Sequence, residues 1–368
     1  MPRYTFLDAL RGLAALYVLI YHMTLVPPFR PVAPEWIKPF VNFGGAGVTL
    51  FFVISAFSLS LTMPRHVATG RPYFSFFVSR FFRIAPLFYF LIVATLFRDA
   101  LYFGKWHSVS QVFLSVAMVF NLAPGEQSGF VWAGWTIGVE VLFYAAFPIL
   151  FFSLKTPAAR VSAFMFACLA QYVLPTAIQV ISPATPDMNK IYLQFTILRH
   201  LPVFLLGMVA FDVFQWAQRK KLGADMGGVL IALGLTGLCF IVTKAPGGDL
   251  VIGNYYWRAI FFACLVIGLS LWPVRLAVNA ATVFAGKLSY SIYLAHAPLI
   301  FFMAPIFRRI YELPAPTTIR FALSFAAALA VVVSAAWLLY TFIERPGINL
   351  GRKILHRPER GAPISSAI

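Results

Sequence analysis

Residues 4–23 read YTFLDALRGLAALYVLIYHM, and this stretch decides the fold class. An apolar run of about 20 residues is long enough to cross the roughly 30 Å hydrocarbon core of a membrane as one helix. The run nevertheless contains Asp8, Arg11 and His22. Ionisable side chains are rare within membrane helices and usually mark a functional site there. The stretch therefore predicts a membrane helix that contributes polar groups to an interior site.

The rest of the chain has the composition of an integral membrane protein. Of its 368 residues, 61% are hydrophobic and 11% are charged, whereas soluble domains carry about 25% charged residues. The formal net charge is +17, but Lys and Arg are spread between apolar segments, which argues against nucleic-acid binding. The three cysteines, Cys168, Cys239 and Cys264, lack metal-ligand spacing and are interpreted as small packing residues.

Ten apolar segments are long enough to span the membrane, so we predict an all-α integral membrane protein with about ten transmembrane helices around a central polar cavity. The segments are 7–26, 45–63, 80–98, 133–154, 160–182, 195–216, 226–243, 256–272, 282–305 and 319–343. The shorter stretch QVFLSVAMVFNL (111–122) is interpreted as a re-entrant or interfacial piece, with an eleventh span as the alternative.

The distribution of basic residues predicts the orientation. With the N-terminus in the cytoplasm, 18 Lys and Arg residues fall on the cytoplasmic side and 11 on the other, which favours cytoplasmic N- and C-termini. The first helix is not interpreted as a cleavable signal, because it has almost no basic n-region and no small-residue cleavage site. We divide the chain into a transmembrane domain, 1–345, and a basic cytoplasmic tail, 346–368, which we expect to be unstructured.

The first helix places two of its polar groups on one face. Arg11 and His22 are eleven residues apart, close to three full turns, so they project from the same face about 16 Å apart along the axis. We expect Arg11 near the cytoplasmic surface, paired with Asp8, and His22 deep in the membrane. The structural alternative for His22 is a hydrogen bond to a neighbouring helix.

Two arginines open the third span in SRFFRIAPLFYF (79–90). Arg80 and Arg83 are three residues apart and share a helix face. Arginine suits phosphate through bidentate geometry, so the pair is a candidate for binding a phosphorylated donor beside Arg11. The alternative is ordinary positive flanking of a membrane helix.

Further candidate groups lie in the fourth and ninth spans. Glu140 is the one carboxylate of VWAGWTIGVEVLFYAAFPIL (131–150), and Tyr144 follows one turn later on the same face. Trp135 precedes them and is alternatively an interfacial anchor. Tyr293 and His296 share a face of FAGKLSYSIYLAHAPLIFF (284–302). Near the end of the chain, Glu344 beside Arg345 is interpreted as an exposed pair that contributes little.

Taken together, these segments resemble the membrane-bound acyltransferase 3 family along nearly the whole chain, in order and spacing. One departure is Ala56, where the family usually has glycine; we expect an effect only on close helix packing. The matching stretches are LDALRGLAALYVLIYH (7–22), GVTLFFVISAFSLS (47–60), RFFRIAPLFYF (80–90), WTIGVEVLFYAAFP (135–148), GKLSYSIYLAHAPL (286–299) and FIERP (342–346).

The resemblance implies transfer of an acyl group, usually acetyl, from cytoplasmic acyl-CoA to a hydroxyl of a sugar, surface glycan or related acceptor. It implies a multi-pass protein of a bacterial inner or plasma membrane, in contact with membrane lipid, with acetyl-CoA as donor substrate, no permanently bound cofactor and no metal. Many members carry a fused extracytoplasmic hydrolase-like domain that these 368 residues lack, so we expect the protein to act alone or with a separate extracytoplasmic acyl-accepting partner.

On this resemblance His22 is a general base, or carries the acyl group as an acyl-imidazole. Glu140 orients the acceptor or the imidazole, and Asp8 fixes Arg11. The candidate substrate-binding residues are Arg11, Arg80, Arg83, Trp135, Tyr144, Tyr293 and His296. A transporter of a small solute or acyl group is the main alternative; the absence of an evident internal duplication weakens it. A structural membrane scaffold is the third interpretation, and it leaves the buried ionisable groups unexplained.

Overall fold

The computed structural model describes residues 4–181, 192–244 and 253–355, and the regular elements within those ranges are helical. The α-helices are α1 (Thr5–Met23), α2 (Lys38–Asn42), α3 (Gly47–Val67), α4 (Pro72–Phe103), α5 (Val109–Val116), α6 (Trp135–Ser153), α7 (Pro157–Ile181), α8 (Ile197–Arg219), α9 (Ala224–Lys244), α10 (Gly253–Leu271), α11 (Ala280–Lys287), α12 (Ser289–Phe302), α13 (Ala304–Tyr311), α14 (Thr317–Leu339) and α15 (Arg345–Leu355).

The prediction of an all-helical membrane fold is confirmed. Within the described ranges, eight helical segments are long and apolar enough to cross a membrane, or nine if the bent pair α12–α13 forms one span. The predicted span 160–182 falls on α7, and its last residue lies outside the described residues. The total of ten spans and the cytoplasmic position of both termini stay predictions.

Two predicted segments are shorter or more broken than one straight helix. The predicted span 282–305 is divided into α11, α12 and the start of α13, and α12 and α13 meet at an angle of 62°. Pro305 lies in the first turn of α13, where its missing N–H would break a continuous helix. Residues 111–122 contain the end of the eight-residue α5 and a short 3₁₀ turn, and these pieces are too short for an eleventh span.

Helix α4 begins earlier than the sequence predicts, and this changes the setting of the paired arginines. It starts at Pro72, which occupies the first helical position, and runs for 32 residues. Proline is favoured there because the first N–H of a helix has no internal partner. Arg80 and Arg83 consequently lie more than two turns inside the helix instead of at its opening.

The predicted unstructured tail is corrected in part. Residues 345–355 form α15, and the remaining tail, 356–368, lies outside the described residues. Helix α15 packs closely on α4 because two glycines face it: a Cβ on Gly347 would lie 2.5 Å from Pro86, and one on Gly351 would lie 2.7 Å from Phe82. Arg352 and Lys353 lie in its last turn. The segment therefore combines a small packing face with a basic one.

Close backbone contact also fixes α1 against its neighbours. A Cβ on Gly12 of α1 would lie 2.4 Å from the carbonyl oxygen of Thr282, and one on Gly286 of α11 would lie 1.8 Å from the carbonyl oxygen of Asp8. At Ala56, where the family usually has glycine, the opposite helix supplies the space: a Cβ on Gly207 of α8 would lie 2.8 Å from the Cβ of Ala56. The departure at Ala56 is thus accommodated by a glycine on the facing helix.

Candidate active site

A basic cavity of about 580 Å³ opens between α1, α3, α4, α11 and α15. One carboxylate, that of Asp8, faces the cations that line it. The lining cations are Arg11, Arg65, Arg80, Arg83, Lys287, Arg345 and Arg352. We call this cavity the vestibule. Its excess of guanidinium groups is suited to a ligand with several negative charges.

Three of these arginines also line a second, smaller cavity of about 80 Å³, which we call the inner chamber. Arg11, Arg80 and Arg83 belong to both linings, together with Ser58. The Arg11 guanidinium donates to the Ser58 hydroxyl at 2.7 Å and lies 3.6 Å from the Asp8 carboxylate. The arginine set predicted from the sequence therefore stands at the junction of the two cavities.

The inner chamber holds the predicted carboxylate. Both Tyr144, at 2.5 Å, and Ser55, at 2.7 Å, donate their hydroxyl hydrogens to the same Glu140 oxygen. The Arg80 guanidinium lies 5.9 Å from the centre of the Tyr144 ring, so a cation stands beside this hydrogen-bonded group. Tyr290 and Tyr293 of α12 also contribute to the polar lining.

The interpretation of Glu344 as an exposed pair with Arg345 is wrong. Its side chain is fully buried, accepts a hydrogen bond from Ser291 at 2.8 Å and lies 3.9 Å from Arg83. Residues 340–344 form a π-helical turn between α14 and α15, and such turns displace side chains from the ordinary helical register. The sequence signal that was available is FIERP, whose carboxylate is one of the few in an apolar region.

His22 lies in the last turn of α1, which ends at Met23. Its depth in the membrane stays a prediction. Arg11 lines the two cavities, whereas neither His22 nor His296 is among their lining residues. The predicted shared hollow between Arg11 and His22 is therefore corrected. Tyr293 connects the two regions, because it lines the chamber and its ring centre lies 5.7 Å from that of His296.

The two histidines form a hydrogen-bonded pair. His296 Nδ1 lies 2.5 Å from the Tyr293 carbonyl oxygen, and its Nε2 lies 3.0 Å from His22 Nδ1. Since a carbonyl oxygen only accepts, His296 Nδ1 carries the hydrogen, and with both rings neutral its Nε2 accepts from His22 Nδ1–H. The Val18 carbonyl, 3.1 Å away, is a second acceptor for the same N–H. The lone pair of His22 therefore lies on Nε2, the atom with basic and nucleophilic character.

Trp135 lies apart from both cavities. Its ring packs near those of Phe52, Phe195 and His200, with centroid distances of 6.4, 4.9 and 5.4 Å. Phe52 lines the inner chamber, so Trp135 supports the chamber wall from outside. Sequence reasoning missed the hydroxyls of Ser55 and Ser58, because serine is common in membrane helices and carries no distinguishing spacing. It noted the Tyr290 hydroxyl only as a possible contact between helices.

The similarity to known proteins covers most of the helices that form the two cavities. Residues 4–341 match the profile of the acyltransferase 3 family, described as an acyltransferase domain. The O-acetyltransferase OatA of Staphylococcus aureus strain NCTC 8325 is 27% identical over 341 residues, which cover 82% of this chain and 51% of OatA. A protein of S. aureus strain COL with a provisional O-acetyltransferase name is 25% identical over 376 residues, 95% of this chain and 58% of its own. The chain thus spans about half the length of these relatives, and no solved structure matches it.

Proposed function

Because this chain belongs to the acyltransferase 3 family, we propose that it is a membrane O-acyltransferase that moves an acyl group from acyl-CoA to a hydroxyl of a sugar, surface glycan or related acceptor. Acetyl is the proposed acyl group, since the relatives are named as O-acetyltransferases. The observation that carries the proposal is the vestibule of seven cations, which leads through three arginines to a chamber with one carboxylate.

The vestibule suits the donor. Coenzyme A carries a diphosphate and a 3'-phosphate, and arginine binds such groups through paired, charge-assisted hydrogen bonds. Arg80 and Arg83 would bind the phosphates together with the vestibule residues Arg65, Lys287 and Arg352, while the pantetheine arm passes Arg11 into the chamber. A narrow inner chamber is consistent with an acyl-thioester end that is small and uncharged.

His22 is the proposed base. In direct transfer, the acceptor oxygen attacks the thioester carbonyl carbon while its proton moves to His22 Nε2. The C–S bond then breaks, and the thiolate of CoA takes the proton from the imidazolium. In the alternative, Nε2 attacks the carbonyl carbon and the C–S bond breaks to release the CoA thiolate. The acceptor oxygen then attacks the acyl-imidazole, the C–Nε2 bond breaks, and the acceptor proton passes through the freed Nε2 to the thiolate. Both routes use the same lone pair, which the hydrogen bond to His296 directs away from that ring.

The two ends of α1 suit different substrates. Arg11 and His22 are eleven residues apart, about 16 Å along the helix. The donor would enter at the cation-rich end, and the acceptor would meet His22 at the opposite end. Tyr293 lies between the chamber and the histidine pair, so the thioester would reach His22 past this ring. The acyl group would pass either to the hydroxyl of the end product or to a hydroxyl of a separate extracytoplasmic partner.

The test uses the full chain in lipid nanodiscs with acetyl-CoA. We expect release of free thiol, accelerated by a hydroxyl acceptor, and loss of at least 100-fold of this rate in His22→Ala, since removal of a general base typically lowers a rate by about 10² to 10⁴. His66→Ala is the matched control, because His66 bonds Ser75 outside both cavities. Solute uptake without thioester turnover would instead support the transporter alternative, and full activity of folded His22→Ala would contradict the assignment.

A further inference from the structure

A second group of arginines lies on α8 and α10, away from the vestibule. Arg199 and Arg258 are both placed against the ring of Tyr255, with guanidinium carbons 5.2 Å and 4.5 Å from its centre. Arg258 also lies 5.9 Å from the centre of the Phe43 ring. Two positively charged groups are therefore gathered around one aromatic ring. We call Arg199, Tyr255 and Arg258 the Tyr255 cluster.

The cluster has no negative charge of its own. Elsewhere in the protein, Arg98 pairs with Asp99 at 2.7 Å and Arg160 pairs with Asp212. In contrast, neither arginine of the cluster has a carboxylate partner among residues 4–181, 192–244 and 253–355. Buried or membrane-embedded arginines are costly without a counter-charge. The missing counter-charge indicates a site that an anion completes.

An unused hydrogen-bond donor points to the same kind of ligand. The Nε atom of Arg258 is buried and has no hydrogen-bond partner, whereas the Thr49 hydroxyl lies within hydrogen-bonding reach of the Tyr255 hydroxyl. Buried polar groups are normally hydrogen-bonded. An oxyanion offers only acceptors, so a carboxylate or phosphate would satisfy both the Nε donor and the charge.

The ring at the centre of the cluster is held in place from behind. His200 Nε2 lies 3.2 Å from the Gln194 carbonyl oxygen, so Nε2 carries the hydrogen and Nδ1 accepts the hydroxyl hydrogen of Tyr255. His200 is itself buried between the rings of Phe52 and Trp135. The arginines therefore rest on a fixed aromatic surface and need little reordering to bind a ligand, which favours affinity.

The cluster lies on the side of the protein where α1 ends. Phe43, beside Arg258, is followed by Gly44, where a Cβ would lie 2.6 Å from that of Tyr21, and the Tyr21 ring centre lies 5.0 Å from that of His22. Phe52, which lines the inner chamber, lies 5.2 Å from the His200 ring. A ligand bound at Arg258 would thus lie in the same region as the proposed base and opposite the vestibule.

We propose that Arg199 and Arg258 bind a carboxylate or phosphate group of the acceptor, so that the preferred acceptor is an acidic glycan and not a neutral one. This rests on the proposed function, because it names the substrate class of the same site. The two guanidinium groups would hold the acidic group while a hydroxyl of the acceptor lies near His22. An anionic lipid headgroup has the same chemistry and is distinguished by the test.

The test compares two probes of equal size, methyl β-D-glucuronide and its neutral amide, by calorimetric titration of the full chain in phosphatidylcholine nanodiscs. We expect the glucuronide to bind at least about 10-fold more tightly than the amide, because one additional charge-assisted hydrogen bond contributes enough binding free energy for this difference. The difference should disappear in Arg258→Gln and in Arg199→Gln and persist in Arg30→Gln, which removes an exposed arginine. Equal binding of both probes, or an unchanged preference in folded Arg258→Gln or Arg199→Gln, would overturn the proposal.

Two further measurements separate the alternatives. If phosphatidylglycerol added to the nanodiscs abolishes the preference of the wild-type protein, the site binds a lipid headgroup and the acceptor assignment is wrong. Thiol release from acetyl-CoA is measured in the same preparations. A retained glucuronide preference without thiol release would refute the proposed function and leave the anion site standing, whereas normal thiol release without any preference would refute the anion site alone.

Discussion

Replacing His296 with leucine tests whether the histidine pair orients the proposed base. The change removes the atom that accepts the hydrogen of His22 Nδ1, which lies 3.0 Å away. The Val18 carbonyl at 3.1 Å still accepts that hydrogen, so the tautomer survives and only the orientation of the ring is released. One lost hydrogen bond of this kind costs about 1–2 kcal/mol, which corresponds to a decrease in kcat of about 5- to 30-fold.

The assay is steady-state transfer from acetyl-CoA, with kcat and KM for the donor determined separately. A positioning role predicts a lower kcat with little change in the donor KM, because His296 does not line the vestibule. His296→Gln provides the conservative comparison, since its amide oxygen can accept the same hydrogen, and it should recover part of the lost rate. His66→Leu controls for the loss of a histidine elsewhere.

The reasoning would be refuted if folded His296→Leu turned over at the wild-type rate, or if His296→Gln lost as much activity as the leucine variant. The first result would mean that the hydrogen bond does not influence the reacting atom. The second would mean that His296 acts through shape or through its own protonation instead of as an acceptor.

Two other predictions concern the vestibule and the helix contacts. Combined Arg80→Gln and Arg83→Gln should raise the KM for acetyl-CoA by about 10-fold or more. The same variant should lower the initial rate with acetyl-dephospho-CoA less, because that donor lacks the 3'-phosphate. Arg275→Gln, at an exposed arginine, should change neither the KM nor this initial rate. Gly286→Ala should lower the free energy of unfolding by about 3 kcal/mol, measured by thermal unfolding, because its Cβ would lie 1.8 Å from a backbone oxygen, whereas Gly223→Ala, with no atom within 4 Å, should be neutral.

Much of the fold could be predicted from the sequence, because membrane helices are recognised by their length and hydropathy. The pairing of Asp8 with Arg11 and of Glu140 with Tyr144 followed from helical spacing, and both contacts are present. Spacing within one helix is a local property, so contacts predicted from it do not depend on how the helices pack together. Contacts between residues of two different helices could not be predicted in this way.

The errors have identifiable causes. The meeting of His22 with His296, 274 residues later, depends on how α1 and α12 pack. Glu344 is buried because of a π-helical turn that no hydropathy pattern reveals. The Tyr255 cluster was overlooked because Arg199 and Arg258 looked like ordinary flanking charges until the structure placed both against one ring.

The glycine contacts between α1 and α11 have a consequence for movement. With Gly12 and Gly286 in direct backbone contact, these two helices can slide or tilt relative to one another only by colliding, so they behave as a single rigid wall. The nearest α4 atoms to the α15 glycines are side-chain atoms of Pro86 and Phe82, so we expect any widening that admits or releases a large ligand to occur between these two helices. Spectroscopic labels across α4 and α15 would report opening and closing during turnover, and labels across α1 and α11 would stay silent.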